Sequence, residues 1–174
     1  MELSEAIQLI DTPEIRINHP SVWADLGAGS GLFSFAIAEL QKPGTVVYAV
    51  EKNHVPLLKA KPSNNVEIKL LHKDFASEDL DLPPLDGVII ANALHFIGDK
   101  MSCLEKLMKQ VKPGAPFVIV EYDLYVASRW VPYPLPQSEL ADLFHPFGYH
   151  MIKMIGDKPS VYNRSRIYSA LLRP

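Results

Sequence analysis

Internal disulfide chemistry is excluded, because Cys103 is the only cysteine in the chain. An excess of one charge is also absent: 17 lysines and arginines stand against 20 aspartates and glutamates, for a net charge of −3. No overall electric field therefore favours nucleic acid or an anionic membrane. Apolar runs of the roughly 20 residues that span a bilayer are missing, and residues 1–5 are acidic rather than basic. We therefore expect a cytoplasmic protein with neither nucleic acid nor a membrane as its partner.

The composition is that of a protein with an ordinary core. The 174 residues are 48% hydrophobic and 21% charged, which suits one globular domain of this length. We predict a single domain over residues 1–174, with residues 1–20 forming an N-terminal helix and a lead-in. The sequence leaves open whether the protein is a monomer or a homodimer.

The most informative stretch holds three alternating glycines after a short apolar run. The run ends at Asp25, the glycines are Gly27, Gly29 and Gly31, and an apolar helical pattern begins at Leu32. A strand, a tight turn and a helix start are typical of a place where backbone approaches a ligand closely, because glycine lacks a Cβ and tolerates positive φ. A dinucleotide-binding fingerprint has the spacing G-x-G-x-x-G. Here the third glycine comes one residue earlier.

The segment Asp-Leu-Gly-Ala-Gly-Ser-Gly, residues 25–31, resembles the first motif of the class I S-adenosylmethionine (SAM)-dependent methyltransferases. The resemblance implies an α/β fold: a doubly wound, mostly parallel seven-stranded sheet flanked by helices and ending in a C-terminal antiparallel hairpin. It also implies SAM as cofactor and S-adenosyl-L-homocysteine (SAH) as product. The implied cofactor-binding residues in this motif are Asp25, Gly27, Ala28, Gly29 and Gly31.

Two further acidic residues follow predicted strands. Glu51 ends a buried strand at residues 45–51, near the offset where an acid takes the ribose hydroxyls in nucleotide-binding βαβ units. A solvated acid that caps the next helix is the alternative for Glu51. Lys52 follows directly, and we count it with the cofactor residues. In the family that the chain resembles, an acid and an apolar neighbour after the third strand face adenine, which implies this role for Asp74 and Phe75.

The fourth predicted strand, within residues 86–96, runs into a loop at the point where a doubly wound sheet binds its ligand. Residues 92–96 should therefore border the methionine end of the cofactor, and we count Asn92 and Ala93 with the cofactor-binding residues. The stretch resembles the small-molecule methyltransferases, which often have a histidine at this position. In this chain that histidine is His95. It departs from the Asn/Asp-Pro-Pro-aromatic motif of many methyltransferases that act on adenine or protein amides.

Several residues are candidates for the role of general base. His95 is the first, because the unperturbed pKa of histidine, about 6.5, lies near neutrality. A buried structural histidine is the alternative. Glu121, Asp123 and Tyr125 are the next candidates, since they lie at or just beyond the end of the fifth predicted strand. We expect no metal site.

The remaining pattern predicts the other elements and one long loop. The predicted helices are 4–10 (with Ser4 as N-cap), 32–40, 54–60, 100–111 and 137–144. The other predicted strands are 66–71, 117–123, 147–155 and 165–172, with 156–164 as the connection between the last two. Residues 124–136, rich in proline and aromatic side chains, form either a lid over the acceptor site or a loop that packs on the domain.

These features predict a SAM-dependent methyltransferase with a small-molecule acceptor. The chain has no large inserted domain that could hold a macromolecule, and the aromatic loop indicates an apolar or planar acceptor. Two alternatives remain: a non-catalytic SAM-binding module that needs a partner chain, and a nicotinamide-dependent oxidoreductase.

Overall fold

The computed structural model describes residues 1–160 and 165–174 and centres on one sheet. Its strands are β1 (Val22–Leu26), β2 (Val46–Val50), β3 (Glu67–Leu71), β4 (Gly87–Ala91), β5 (Phe117–Tyr122), β6 (Met151–Pro159) and β7 (Arg166–Arg173). The α-helices are α1 (Leu3–Ile10), α2 (Leu32–Glu39), α3 (Lys100–Met108) and α4 (Leu140–Phe144). Single 3-10 turns lie at Pro13–Ile15, Leu94–Phe96, Gln137–Glu139 and His145–Phe147. Within the described ranges, no helix has the length and apolar character needed to cross a membrane.

The seven strands follow the order β3-β2-β1-β4-β5-β7-β6. The first five strands of this order pair in parallel, and β7 runs antiparallel to both β5 and β6. The predicted doubly wound sheet with a C-terminal antiparallel hairpin is thereby confirmed. The chain leaves the sheet centre at β1 and returns beside it at β4, so the carboxyl ends of these two strands flank the crevice where such sheets bind ligands.

Apolar residues cover both faces of the sheet. One buried cluster includes Leu104 of α3 and Phe144 of α4, and the other includes Ile10 of α1 and Ile37 of α2. All five residues of β4 are buried, as expected for a central parallel strand with helices on each side. The central strands are therefore rigid supports for whatever their carboxyl ends carry.

The predicted helix at 54–60 is wrong, since this segment forms no regular structure. Val55 precedes Pro56, and a residue before proline is pushed away from helical backbone angles. Pro62 follows soon after, which leaves too few residues to offset the cost of starting a helix. Instead, the Leu58 N–H donates to the carbonyl of Ser30 at 2.9 Å, so the segment lies against the glycine turn.

Ser4 is not the N-cap of the first helix. The cap is Glu2, whose backbone N–H donates to the carboxylate of Glu5 at 2.8 Å in a reciprocal capping box. Two acidic side chains thus replace the expected serine, and negative charge at a helix N-terminus also interacts favourably with the helix dipole.

Several predicted boundaries shift in the C-terminal half. Helix α3 ends at Met108 rather than 111, because Val111 forms an isolated parallel bridge with Leu85. The predicted helix 137–144 begins with a 3-10 turn. The strand predicted at 147–155 begins only at Met151, after Gly148 turns the chain at φ +85°, and it extends to Pro159. The rest of the predicted connection, residues 161–164, lies outside the described residues.

A buried carboxyl group joins β1 to α2. The Asp25 side chain accepts a hydrogen bond from the Ser34 hydroxyl at 2.6 Å, and its Oδ1 is buried without a partner among the described residues. Burial raises the pKa of the Asp25 carboxyl from 3.8 to about 7, the Ser34 hydrogen bond opposes this, and the nearby Glu51 carboxylate adds to it. Asp25 thus titrates in the folded protein near neutrality.

The Gly87→Ala substitution should destabilise the fold. A Cβ at Gly87 would lie 2.5 Å from three ring carbons of Trp23, which is fully buried in β1. We expect a loss of about 1–3 kcal/mol, the usual cost of overpacking a core, measured by urea unfolding. Gly98→Ala is the control, because its Cβ would meet only the half-exposed Tyr133 ring at 3.3 Å. Equal unfolding midpoints for the two variants would contradict this account.

The Asp25→Asn substitution should remove a pH dependence of stability. Because the pKa is raised in the folded protein, the folded state keeps a proton that the unfolded chain has lost, and the free energy of unfolding falls as pH rises from about 4 to about 7. As pH rises through this window, the free energy of unfolding of the variant should increase by up to about 4 kcal/mol relative to that of the wild type. Urea unfolding across the pH range measures it, with Asp142→Asn, an exposed aspartate of α4, as control. Parallel stability curves for wild type and Asp25→Asn would refute the assignment.

Candidate functional site

The glycine turn brings the ends of three strands together. The N–H groups of Gly27 and Ala28 both donate to the carbonyl of Val50, at 2.9 and 3.0 Å. Gly27 has φ +75°, and a Cβ there would lie 2.5 Å from the Cβ of Ala93, just beyond β4. Glycine is therefore required at Gly27 both by backbone angle and by space. Gly31, at φ +83°, is the N-cap of α2.

Glu51 is held by the turn at the end of β2. Its Oε2 accepts a hydrogen bond from the Gly29 N–H at 2.9 Å, and its Oε1 accepts from the N–H and the side-chain amide of Asn53, both at 2.8 Å. Gly29 itself has φ +53°, and a Cβ there would meet no atom within 4 Å. Three hydrogen bonds thus fix the orientation of a buried carboxylate and occupy three of its four lone pairs, which leaves one, on Oε2, for a ligand.

A cavity of about 430 Å³ opens beside this carboxylate, and we refer to it as the first cavity. Seven of the eleven predicted cofactor residues line it: Gly27, Glu51, Lys52, Asp74, Phe75, Asn92 and Ala93. Phe96, which ends the stretch expected to border the cofactor, also lines it, and three lining residues were not predicted: Asn53, Lys73 and Ile97. The volume lies in the range of small-molecule sites, roughly 300–1,000 Å³.

The other four predicted cofactor residues lie in the turn or beneath it. Ala28, Gly29 and Gly31 shape the backbone that holds Glu51, and the carboxyl of Asp25 is buried under the turn. None of the four lines the first cavity. Their part in the site is to position the turn.

Asn92 has an unusual backbone and an unpaired side-chain oxygen. Its φ is +52°, a left-handed conformation that asparagine tolerates better than most residues. Its N–H donates to Val120 at 2.7 Å, while its Oδ1 is buried with no partner in the part of the chain that the structure describes. Backbone strain combined with an unpaired buried acceptor is typical of a residue kept for a ligand.

A second cavity, of about 740 Å³, adjoins the first. Its lining residues are Asn92, His95, Phe96, Tyr122, Ser128, Trp130 and Val131. Asn92 and Phe96 line both cavities. Most of the lining is apolar, so this cavity suits a ligand with an apolar body.

The loop at residues 124–136 provides one wall of the second cavity. The N–H of Tyr133 donates to the His95 carbonyl at 3.0 Å, and Lys100 donates to the Tyr133 carbonyl at 2.9 Å. At the neck of the loop, the Asp123 carboxylate accepts hydrogen bonds from the backbone and the side chain of Gln137 at 3.1 and 3.2 Å. The loop is thus held at its neck and at Tyr133.

His95 and Glu121 form a buried pair at the second cavity. The His95 Nδ1 lies 2.6 Å from the Glu121 Oε2, and the two side chains are 3% and 1% exposed. The other carboxylate oxygen accepts the backbone N–H of His95 at 3.2 Å. His95 lines the cavity and Glu121 does not. The pair therefore presents an imidazole to the cavity and a carboxylate to the imidazole.

The other candidate bases lie away from the cavities. Tyr125 is 68% exposed, its hydroxyl contacts that of Ser138 at 3.2 Å, and it lines neither cavity. Asp123 is engaged at the loop neck. Sequence analysis missed Asn53, Lys73 and Tyr122, although each lies at or just after the carboxyl end of a predicted parallel strand, and this position is a usable signal.

Comparison with known proteins identifies the family. Residues 24–117, more than half of the chain, match the family described as methyltransferase domain. The protein-L-isoaspartate O-methyltransferase of Methanopyrus kandleri is 26% identical over 141 residues, which are 77% of this chain and 58% of that protein. An uncharacterized methyltransferase of Mycobacterium tuberculosis is 31% identical over 100 residues, 56% of this chain and 49% of the relative. The chain thus spans about half the length of the curated relatives it matches.

A solved structure shares the fold. It is the 1,6-didemethyltoxoflavin-N1-methyltransferase of Burkholderia thailandensis with bound 1,6-didemethyltoxoflavin and SAH. The similarity has a TM-score of 0.67 at 17% identity and covers 98% of this chain and 77% of the other. At such low identity the similarity shows the fold alone, whereas the match over residues 24–117 shows the family. The chain belongs to the methyltransferase domain family and has the fold of the class I SAM-dependent methyltransferases.

Proposed function

We propose that this chain is a SAM-dependent methyltransferase that acts on a small molecule, with SAM in the first cavity and the acceptor in the second. The observation that carries the proposal is the junction of the two cavities at Asn92 and Phe96. A methyl group can pass between two ligands only where their sites meet. The Burkholderia neighbour likewise holds a small molecule together with SAH.

The lining of the first cavity fits SAM. SAM bears a sulfonium, an ammonium and an adenine amine, and its site needs acceptors and negative charge for these three groups. Glu51 and Asp74 provide carboxylates, and the unpaired Oδ1 of Asn92 provides a buried acceptor. The two lysines of the lining each contact an acid: Lys52 lies 3.4 Å from Asp74 and Lys73 lies 2.8 Å from Asp81. The acceptor-rich side chains thus match the donors of the cofactor.

Individual roles follow from the hydrogen bonds. Glu51, fixed by Gly29 and Asn53, has one spare lone pair, on Oε2, to accept a hydroxyl of the ribose. Asp74 accepts the N–H of Ala76 through Oδ1 and the Lys52 ammonium through Oδ2, and each oxygen keeps one lone pair that could accept the adenine amine. Phe75 offers a flat apolar surface to the purine.

The bound cofactor would supply an activated methyl group on sulfur. The task of the chain is therefore to align the acceptor with that group and to exclude water. Phe96, Tyr122, Trp130 and Val131 give the second cavity an apolar lining that favours an apolar or planar acceptor. The loop at residues 124–136, which provides part of this lining, is held at its neck and at Tyr133.

Calorimetric titration of the purified protein with SAM and SAH tests the proposal. We expect binding of both, and none of the nicotinamide dinucleotides. Heat with a dinucleotide but not with SAM or SAH would overturn the proposal in favour of an oxidoreductase. Binding of SAM with no methyl transfer to any phenol, acid, thiol or amine would favour the non-catalytic module.

Gly29→Ala should weaken SAH binding by about tenfold or more. An L residue in left-handed backbone costs roughly 1–2 kcal/mol. A backbone shift that relieves this strain would move the N–H that holds Glu51. Gly114→Ala is a matched control. Gly114 also has positive φ, +82°, and also has no atom within 4 Å of an added Cβ, but it lies in the turn before β5, away from both cavities. Calorimetry with SAH measures both variants. The same affinity in both would refute the role of the glycine turn.

A further inference from the structure

We propose that the acceptor is a phenol-type molecule whose hydroxyl proton is taken by Nε2 of His95, with Glu121 as a positioning residue. This inference rests on the proposed function, because it assigns the chemical class of the acceptor in the second cavity. It is carried by the buried His95–Glu121 pair and by the distribution of polar groups around that cavity.

Glu121 determines which nitrogen of His95 carries the hydrogen. An ionised carboxylate only accepts hydrogen bonds, so the 2.6 Å contact to Nδ1 places a hydrogen there and leaves a lone pair on Nε2. The carboxylate is itself fixed, since it accepts the backbone N–H groups of His95 and Tyr122 at 3.2 and 3.3 Å. The pair therefore has one defined arrangement.

Nε2 is the nitrogen left for a ligand. Within the described ranges no hydrogen bond engages it, and it is not among the fully buried unpaired atoms. The imidazole packs beside the rings of Phe96 and Tyr122, at centroid distances of 4.2 and 5.7 Å. Lys100, a nearby cation, donates to the carbonyls of Ile97 and Tyr133 rather than to Glu121. Burying an ionised carboxylate against a neutral imidazole carries a desolvation cost that their hydrogen bond only partly offsets, which favours a chemical role.

The second cavity selects a flat ring with one polar edge. Its rings belong to Phe96, Tyr122 and Trp130, and its polar side chains besides His95 include Asn92 and Ser128. A neutral hydroxyl is a weak nucleophile that needs a base, whereas an amine attacks through its free lone pair and a thiol ionises readily by itself. A base aimed at an aromatic cavity therefore indicates a phenol.

The step balances with these groups. The acceptor oxygen forms a bond to the methyl carbon, the carbon–sulfur bond breaks, and its electron pair stays on sulfur. The hydroxyl proton passes to Nε2 of His95, and the resulting imidazolium is stabilised by the Glu121 carboxylate until the proton leaves to water.

NMR spectroscopy of the ligand-free wild-type protein tests the arrangement without any activity. Long-range ¹H–¹⁵N spectra at mildly alkaline pH should show a hydrogen on Nδ1 of His95 and none on Nε2, with the signals assigned through His95→Gln. In Glu121→Gln the single tautomer should give way to a mixture, because a carboxamide can also donate. A hydrogen on Nε2 in the wild type would overturn the proposal.

A matched pair of acceptors tests the chemistry. With SAM as donor, a phenol and the thiophenol of the same shape are compared in the wild type and in His95→Gln. We expect kcat for the phenol to fall by about 10² in the variant, the usual contribution of a general base, kcat for thiophenol to fall much less, and SAH affinity to be retained. Glu121→Gln should lower kcat for the phenol with little change in KM.

The outcomes separate this inference from the proposed function. A wild type that binds SAH and methylates amines but no phenol overturns the inference and leaves the methyltransferase proposal intact. Equal loss on phenol and thiophenol in His95→Gln, with SAH affinity retained, shows that His95 only packs the cavity. Absence of SAM and SAH binding by the wild type overturns the proposed function itself.

Discussion

The close approach of the glycine turn to the end of β4 is the constraint on which the site depends. At Gly27 the backbone comes so near Ala93 that a methyl group would not fit, and two N–H groups of the turn share the carbonyl of Val50. The carboxyl ends of β1, β2 and β4 are thereby held together. Glu51 follows β2, and Asn92 and the segment that carries His95 follow β4, so this packing contact positions several polar groups of both cavities.

The hydrogen bond between Gly29 and Glu51 gives this geometry its electrostatic character. The N–H of the turn donates to a carboxylate, so the turn presents negative charge beside the first cavity. A site for a pyrophosphate would use such N–H groups to bind the anion. The observed arrangement instead suits a cationic ligand, which agrees with the early third glycine and with the family to which the chain belongs.

The sequence predicts well what is decided locally. The glycine turn and the buried parallel strands have strong local patterns, and the family match and the sheet order confirm the family and the fold. The prediction of a helix at 54–60 failed because two prolines outweigh a short apolar pattern. Tyr125 was named as a base from its place after β5, yet the path of the long loop, which its own sequence does not specify, leaves this side chain exposed beside Ser138.

The pairing of His95 with Glu121 shows the limit of sequence reasoning most clearly. Both residues were candidates, but as separate ones, because their contact depends on the register of β4 against β5, in which Ala91 is paired with Val120. That register places the residue after β4 beside Glu121, and the 3-10 turn at Leu94–Phe96 then brings the imidazole back over the carboxylate. A shift by one residue would turn Glu121 to the other face of the sheet. The chemistry of the second cavity is therefore set by strand register, which itself follows from the packing of apolar side chains on both faces of the sheet.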